Sequence, residues 1–200
     1  MSSALGSKDK ILFCARELFY FVGYQATSVD DILRICGVAK SNFYYHFRTK
    51  DDLALAVINL QVAEFESGAL KILFDRDSDP ADRLERFCEA LIHAQANIQQ
   101  MGGCPFGNFA AALSSRDADE KTLRFREMLG RLFLRIQGAL AVCLTEGIEA
   151  GVFRADLPAD QLAMTVFATI EGLMLMTKTH RDTAPLKHGL LVLQRLVRGH

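Results

Sequence analysis

The sequence predicts an all-α fold on three observations. Apolar residues recur at three- and four-residue steps along most of the chain, the mark of helices that bury one face. Two capping boxes, Thr27 with Asp30 or Ser28 with Asp31, and Thr49 with Asp52, announce helix starts, because a hydroxyl accepts from a free amide while the acid three residues on reaches back. The chain has 200 residues, 50% of them hydrophobic, which is enough for one or two domains with a real core.

Residues 7–22 form the first predicted helix. Ile11, Leu12, Ala15, Leu18, Phe19 and Val22 make its apolar stripe, Lys8, Lys10 and Arg16 lie off it, and Gly23 is placed to end it. Lys8 and Lys10 read as a solvated face or, alternatively, as phosphate contacts near the groove edge. The second helix starts at Thr27 or Ser28, where Asp30 and Asp31 suit the positive end of the helix dipole. Val29, Ile32, Leu33 and Cys36 give it one apolar face, and Gly37 supplies the left-handed residue that closes it. Ser41 is the expected cap of the third helix. There Phe43 and Phe47 share the buried side and leave Asn42, Tyr44, Tyr45 and His46 to meet a partner. A longer helix begins at Lys50 and runs to residue 73, carried by Leu53, Ala56, Val57, Leu60, Ala63 and Leu70.

The chain as a whole is nearly neutral, with 23 basic and 24 acidic residues. From Arg34 to Lys50, however, it carries Arg34, Lys40, Arg48 and Lys50 and no acid at all. Local positive charge beside a short open helix is what a helix-turn-helix needs to hold phosphates and enter a major groove. The stretch TSVDDILRICGVAKSNFYYHFRTKDDL closely resembles the DNA-binding segment of TetR-family transcriptional repressors. In that family a capped helix, a G-V-[AS] turn, a recognition helix ending in Tyr-x-His-Phe and a Lys-[DE]-x-Leu helix start follow one another. The resemblance implies double-stranded operator DNA as partner. It places Thr27, Ser28, Tyr45 and Lys50 on phosphates, and Lys40, Ser41, Asn42, Tyr44 and His46 near bases or backbone. Beyond this segment it rests on length and helical layout.

DRDSDP, residues 75–80, is a polar loop and an internal boundary. Residues 81–101 form an amphipathic helix through Leu84, Phe87, Cys88, Leu91, Ile98 and Met101, with Glu89, His93 and Asn97 on a different face and His93 toward solvent. In MGGCPFGNFAAALSS, Gly102, Gly103, Pro105 and Gly107 break the helix and gather Cys104, Phe106, Asn108 and Phe109 into a few residues, a pattern that suits a cavity wall. The G-C-x-x-G-N segment resembles one in a subset of TetR-family regulators, some of which use a cysteine here to sense electrophiles or oxidants. In that subset an acid often stands where this chain has Ala112. Cys104, just ahead of a helix, is either a thiol activated by the helix N-terminus or a structural one.

Residues 117–150 make one long helix. Leu123, Phe125, Leu129, Leu132, Phe133, Ile136, Leu140, Cys143 and Leu144 face inward, Arg124, Arg126, Arg131 and Arg135 face mostly outward, and Gly151 closes it. The last two helices, residues 159–179 and 184–197, are too apolar to bury only one side. They predict a homodimer through those helices, which would set two readers about 34–36 Å apart, matching successive major grooves of a near-palindromic site. Glu171, the one acid in the apolar run of the first of them, reads either as a carboxylate in a ligand cavity or as a rim residue paired with an arginine.

Composition excludes other classes. Five cysteines, odd in number and without a C-x-x-C pair, indicate neither a disulfide framework nor a zinc site, and four of them read as small core residues. Cys104 has no base at a fixed spacing, and no metal or phosphate motif accompanies it, so no catalytic residue, cofactor or metal is expected. The start lacks a signal peptide and no uninterrupted apolar run approaches the roughly 20 residues of a bilayer span, which predicts a cytoplasmic protein that does not use a membrane. The expected organisation is a DNA-binding domain over residues 1–50 and a ligand-binding and dimerisation domain over 51–200. The expected function is transcriptional repression relieved by a small apolar or aromatic effector held by Cys104, Phe106, Phe109, Phe125, Met128, Phe133, Phe167, Glu171 and Met174. The alternative is a DNA-binding redox or electrophile sensor acting through Cys104.

Overall fold

A computed structural model describes residues 6–96, 102–112 and 120–199, with no strand among the described residues. The elements are α1 (Ser7–Phe21), α2 (Val29–Cys36), α3 (Lys40–His46), α4 (Lys50–Phe65) continued by a π-helical turn (Glu66–Leu70), α5 (Pro80–Ala96), α6 (Pro105–Ala112), α7 (Glu120–Glu149), α8 (Ala159–His180) and α9 (Ala184–Arg198). By contact the chain divides into two units, Met1–Ala63 with Pro105–Glu127 and Glu64–Cys104 with Met128–His200. The first therefore takes in α6 and the start of α7 as well as the N-terminal helices. Asn97, Ile98, Met101 and the expected start of the long helix at 117–119 lie outside the described residues.

In the first unit α1 packs on α2 and α3. Ile11, Ala15 and Phe19 meet a core that also holds Ile32, Leu33, Phe43, Phe47, Leu53, Ala54 and Val57. Ser28 caps α2 as expected: its hydroxyl accepts from the Asp31 amide at 3.1 Å while the Asp31 carboxylate accepts from the Ser28 amide at 3.2 Å. Gly37 then turns the chain at φ +65°, a conformation that costs a side-chain-bearing residue energy. The Thr49–Asp52 box forms too, with amide-to-side-chain bonds of 3.0 and 3.1 Å. Ser41 does not cap α3; the helix starts two residues earlier, Ala39 is the N-cap, and Ser41 lies exposed in the first turn. On α4, Leu60 and Ala63 face outward and Ala54, Ile58 and Gln61 take the buried side with Leu53 and Val57. The α4 reading failed because an almost uniformly apolar helix does not announce which side is inside.

In the second unit α8 packs most extensively on α9, and α5 meets α9 and the π-helical turn. A Cβ on Gly189 would overlap the Leu173 side chain, so the absence of a side chain there lets α9 approach α8. Pro80 begins α5 where the sequence placed it in the loop, as suits a residue without an amide hydrogen to satisfy. Arg83 is only 3% exposed. Its guanidinium donates to Glu146 at 2.5 Å and to the Leu73 carbonyl at 3.2 Å, so the buried charge is paired rather than stranded. Cys88 and Cys143 are buried, and burial pushes both thiols up to about 11. The other three cysteines, Cys14, Cys36 and Cys104, are half-buried, so two cysteines rather than the expected four lie in the core. On α7, Leu123 is exposed instead of inward.

Three helical stretches, Lys50–Leu70, Thr122–Glu149 and Ala159–His180, are long and apolar enough to cross a bilayer by length and composition alone. All three contribute side chains to the packed cores.

Replacing Ser28 by alanine removes one half of the α2 box. The expected loss is about 1 kcal/mol, a fall in melting temperature of roughly 2–4 °C, read by a thermal melt followed by circular dichroism.

Candidate nucleic-acid interface and effector region

The recognition element α3 is fixed from behind. Phe43 and Phe47 are buried with ring centroids 5.9 Å apart, and the Phe47 amide closes the helix on the Phe43 carbonyl at 2.7 Å. At the end of α3, His46 Nε2 lies 2.9 Å from Ser7 Oγ, tying the helix to the start of α1. The opposite faces are open. Tyr45 is 83% exposed and Tyr44 55%, the Tyr44 ring standing edge-on to Phe43 at 5.2 Å. Ser41 and Asn42 are exposed as well. Of the two tyrosines it is Tyr44 that rests partly on its neighbour.

The charges are more fully engaged than the sequence suggests. Lys40 pairs with Asp30 at 2.9 Å and Arg34 with Asp31 at 2.8 Å, both on the surface. Hydrogen bonds from Ser28 and then Arg34 pull the Asp31 carboxyl down to about 2. Exposed pairs of this kind are weak, so Lys40 and Arg34 can exchange an aspartate for a phosphate at little cost. Arg48 is exposed as well.

Two residues assigned to phosphate are placed differently from a simple surface contact. Thr27 is 2% exposed and its hydroxyl donates to the Gly23 carbonyl at 2.8 Å. Lys50 turns back over the Tyr24 ring, 4.3 Å from its centroid, and its ammonium donates to the carbonyls of Tyr24 and Thr27 at 2.9 and 3.0 Å. Burial pushes the Lys50 ammonium down from its usual value. Lys50 thus stitches the first turn of α4 to the loop before α2. Tyr24 completes the stitch by donating its hydroxyl to Asp51.

Tyr24 also receives α6. Its ring, the Phe19 ring and those of Phe109 and Phe125 cluster with centroids 5.4 to 6.1 Å apart, and Gln25 Nε2 donates to the Ala112 carbonyl at 3.3 Å. Neither Tyr24 nor Asp51 was singled out from the sequence, since no short spacing links residue 24 to 51 or to 109. Of the expected effector residues, Phe106, Phe109 and Phe125 belong to the first unit, where all three are buried, and Cys104, Met128, Phe133, Phe167, Glu171 and Met174 belong to the second. There the Phe133 and Phe167 rings lie 5.3 Å apart. Glu171 is largely enclosed; burial raises its carboxyl pKa, and a hydrogen bond from the Cys104 thiol offsets part of that rise. Met174 is buried one turn along α8, its carbonyl beside Gly103. No group of three or more metal-ligating side chains occurs among the described residues.

Residues 11–57 match the family described as bacterial regulatory proteins, tetR family, and residues 80–192 match the tetracyclin repressor-like C-terminal domain. The chain is 34% identical over 178 residues to an HTH-type transcriptional regulator from the lacX 3' region of Lactococcus lactis subsp. lactis, covering 88% of this chain and 85% of that one. It is 30% identical to the HTH-type transcriptional repressor DhaR of Mycobacterium sp. (strain GP1), covering 88% and 84%. Among solved structures, the regulatory protein TetR from Rhodobacter sphaeroides superposes with a TM-score of 0.83 at 26% identity, over 94% of this chain and 96% of that one. With an open recognition helix held on a packed helical unit and both family regions matched, the chain belongs to the TetR family of helix-turn-helix, DNA-binding transcriptional regulators.

Proposed function

We propose that this regulator represses transcription by binding near-palindromic operator DNA as a homodimer, and that a small apolar or aromatic effector releases it. The observation that carries the reading is the division of α3, with Phe43 and Phe47 buried and Tyr44, Tyr45, Asn42 and Ser41 open. In the proposed complex Tyr45, Ser28 and the Thr27 backbone meet phosphates. Lys40, Ser41, Asn42, Tyr44 and His46 lie toward bases or backbone, and Lys50 acts through the loop it holds. The dimer forms through α8 and α9, which expose Met164, Leu175, Met176, Leu191, Val192 and Leu196; an apolar face of that kind suits a second copy of the same two helices. Binding chromosomal DNA places the protein in the cytoplasm.

The effector is held by Phe133, Phe167, Met174, Met128, Glu171 and Cys104. Cys104 adjoins Pro105, the first residue of α6, and α6 reaches Tyr24 through Phe109. An effector that draws on Cys104 and Glu171 therefore acts on α6, on Tyr24 and on the Lys50–Asp51 start of α4. By linkage it weakens DNA binding as much as DNA weakens its own binding. A second reading is favoured by one contact: the Cys104 thiol donates to Glu171, which gives the thiol a carboxylate to take its proton and makes covalent capture of an electrophile the alternative signal.

Fluorescence anisotropy on DNA upstream of the coding region tests the first reading. Affinity is expected to fall about 10³-fold or more between 50 and 200 mM salt if six or more phosphates are met. Tyr45→Ala is expected to weaken binding about tenfold, roughly 1.4 kcal/mol, with an unchanged melting temperature. Equal, salt-insensitive behaviour on random and upstream DNA would refute it.

Glu171 supplies a pH test. Because burial raises its pKa above 4.5, the folded state holds this proton where the unfolded state has lost it. The group's contribution to stability is full below pH 4.5 and is lost as pH rises through the raised value. Glu171→Gln, which cannot ionise, is expected to melt a few degrees above the wild type at about pH 7.5, with the gap closing toward pH 4.5. A gap independent of pH would remove the carboxylate from this account.

A further inference from the structure

The first unit contains a pair of thiols that the DNA-binding reading does not use. Cys14 lies on α1 and Cys36 is the last residue of α2; both are half-buried, and the two helices pack on each other. The Cys14 thiol donates a hydrogen bond to Cys36, and Cys36 Sγ lies 3.7 Å from the Leu33 carbonyl oxygen as donor. The sulfurs are therefore neighbours across the seam between α1 and α2, although 21 residues separate them in the chain. We propose that Cys14 and Cys36 are an oxidation site for hydroperoxides, closing to a reversible disulfide that lowers the affinity of the reader for DNA. The effect on DNA rests on the function proposed above; the disulfide itself does not.

The geometry assigns the roles. Cys36 accepts the hydrogen bond from Cys14 and is the attacking thiol. Burial and the Cys36 thiol both favour the protonated form of Cys14, which suits the resolving partner. Cys36 attacks the terminal peroxide oxygen, the O–O bond breaks, and water or an alcohol leaves, carrying the proton of the Cys36 thiol. Cys14 then attacks the sulfenic sulfur. The S–O bond breaks, hydroxide leaves as water with the Cys14 proton, and one hydroperoxide has been reduced by two electrons. A thiol reducing agent reverses the step by exchange.

The consequence follows from distance. Hydrogen-bonded sulfurs must close to about 2.05 Å to bond, which draws the C-terminal end of α2 toward α1. Cys36 immediately precedes Gly37, where the chain turns at φ +65° into α3. A shift there re-aims the recognition helix, and base and phosphate contacts do not survive misplacement on the ångström scale.

The experiment uses the full chain with Cys104→Ser, so that this thiol cannot respond. The protein is treated with hydrogen peroxide, alkylated, digested and mapped by mass spectrometry, and its DNA affinity is measured in parallel. The expected result is a Cys14–Cys36 cross-linked peptide, two hydrogens lighter than the reduced pair, and an affinity for upstream DNA lowered about tenfold or more and restored by dithiothreitol. Cys14→Ser and Cys36→Ser are each expected to bind as the reduced protein does and to lose the response. Absence of the linked peptide, persistence of the response in either serine variant, or unchanged affinity once the peptide has formed would overturn the proposal. Failure of the reduced protein to bind any DNA would instead count against the repressor reading, and the peptide map would still decide the thiol pair.

Discussion

A helix of seven residues does not hold itself together in water, because the cost of nucleation exceeds what so few hydrogen bonds return. The whole DNA-binding reading depends on α3 existing before DNA arrives, and what makes it exist is the burial of Phe43 and Phe47. Those two rings occupy one side of α3 while α1 and α2 supply the surface that receives them. Gly37 and the Ser28–Asp31 box set where α2 ends and begins, so the direction of α3 is determined by a turn and a cap rather than by its own propensity. The polar side is left open as a result.

The same economy explains the odd placement of Lys50 and Thr27. Both are polar groups that a surface reading assigns to phosphate, yet each is spent on carbonyls of the 23–27 loop. That loop joins α1 to α2, and Lys50 with Asp51 attaches it to the first turn of α4. Phe109 and Phe125 reach the same place through Tyr24. The residues expected to sense an effector and the residues that hold the reader thus share one tyrosine. That is a physical route for coupling, since a change in α6 must disturb either the aromatic cluster or the Tyr24–Asp51 hydrogen bond.

Much of this was legible in the sequence where the signal is local. Caps, the glycine turn and the four-residue spacing of Phe43 and Phe47 each constrain a few consecutive residues, and they appear in the structure as expected. Ser41 misled because a serine in the first helical turn resembles a serine at the cap, and the backbone decides between them. Leu60 and Leu123 misled because apolar helices offer two plausible inner sides. The Arg83–Glu146 pair, the Lys50 stitch and the Cys14–Cys36 contact join residues dozens of positions apart in most cases and carry no short motif, so only the packing reveals them. Phe109 and Phe125 are buried in the first unit, and an aromatic that fills a core and one that lines a cavity have the same sequence signature.

The central claim is that two copies of this chain present two open recognition helices to successive turns of one DNA face. Hydroxyl-radical footprinting on the DNA upstream of the coding region measures that directly. The account predicts two protected stretches related by a near-palindrome, with centres about 10 base pairs apart or a multiple of that. A single protected stretch, or protection that does not follow the helical repeat, would contradict it.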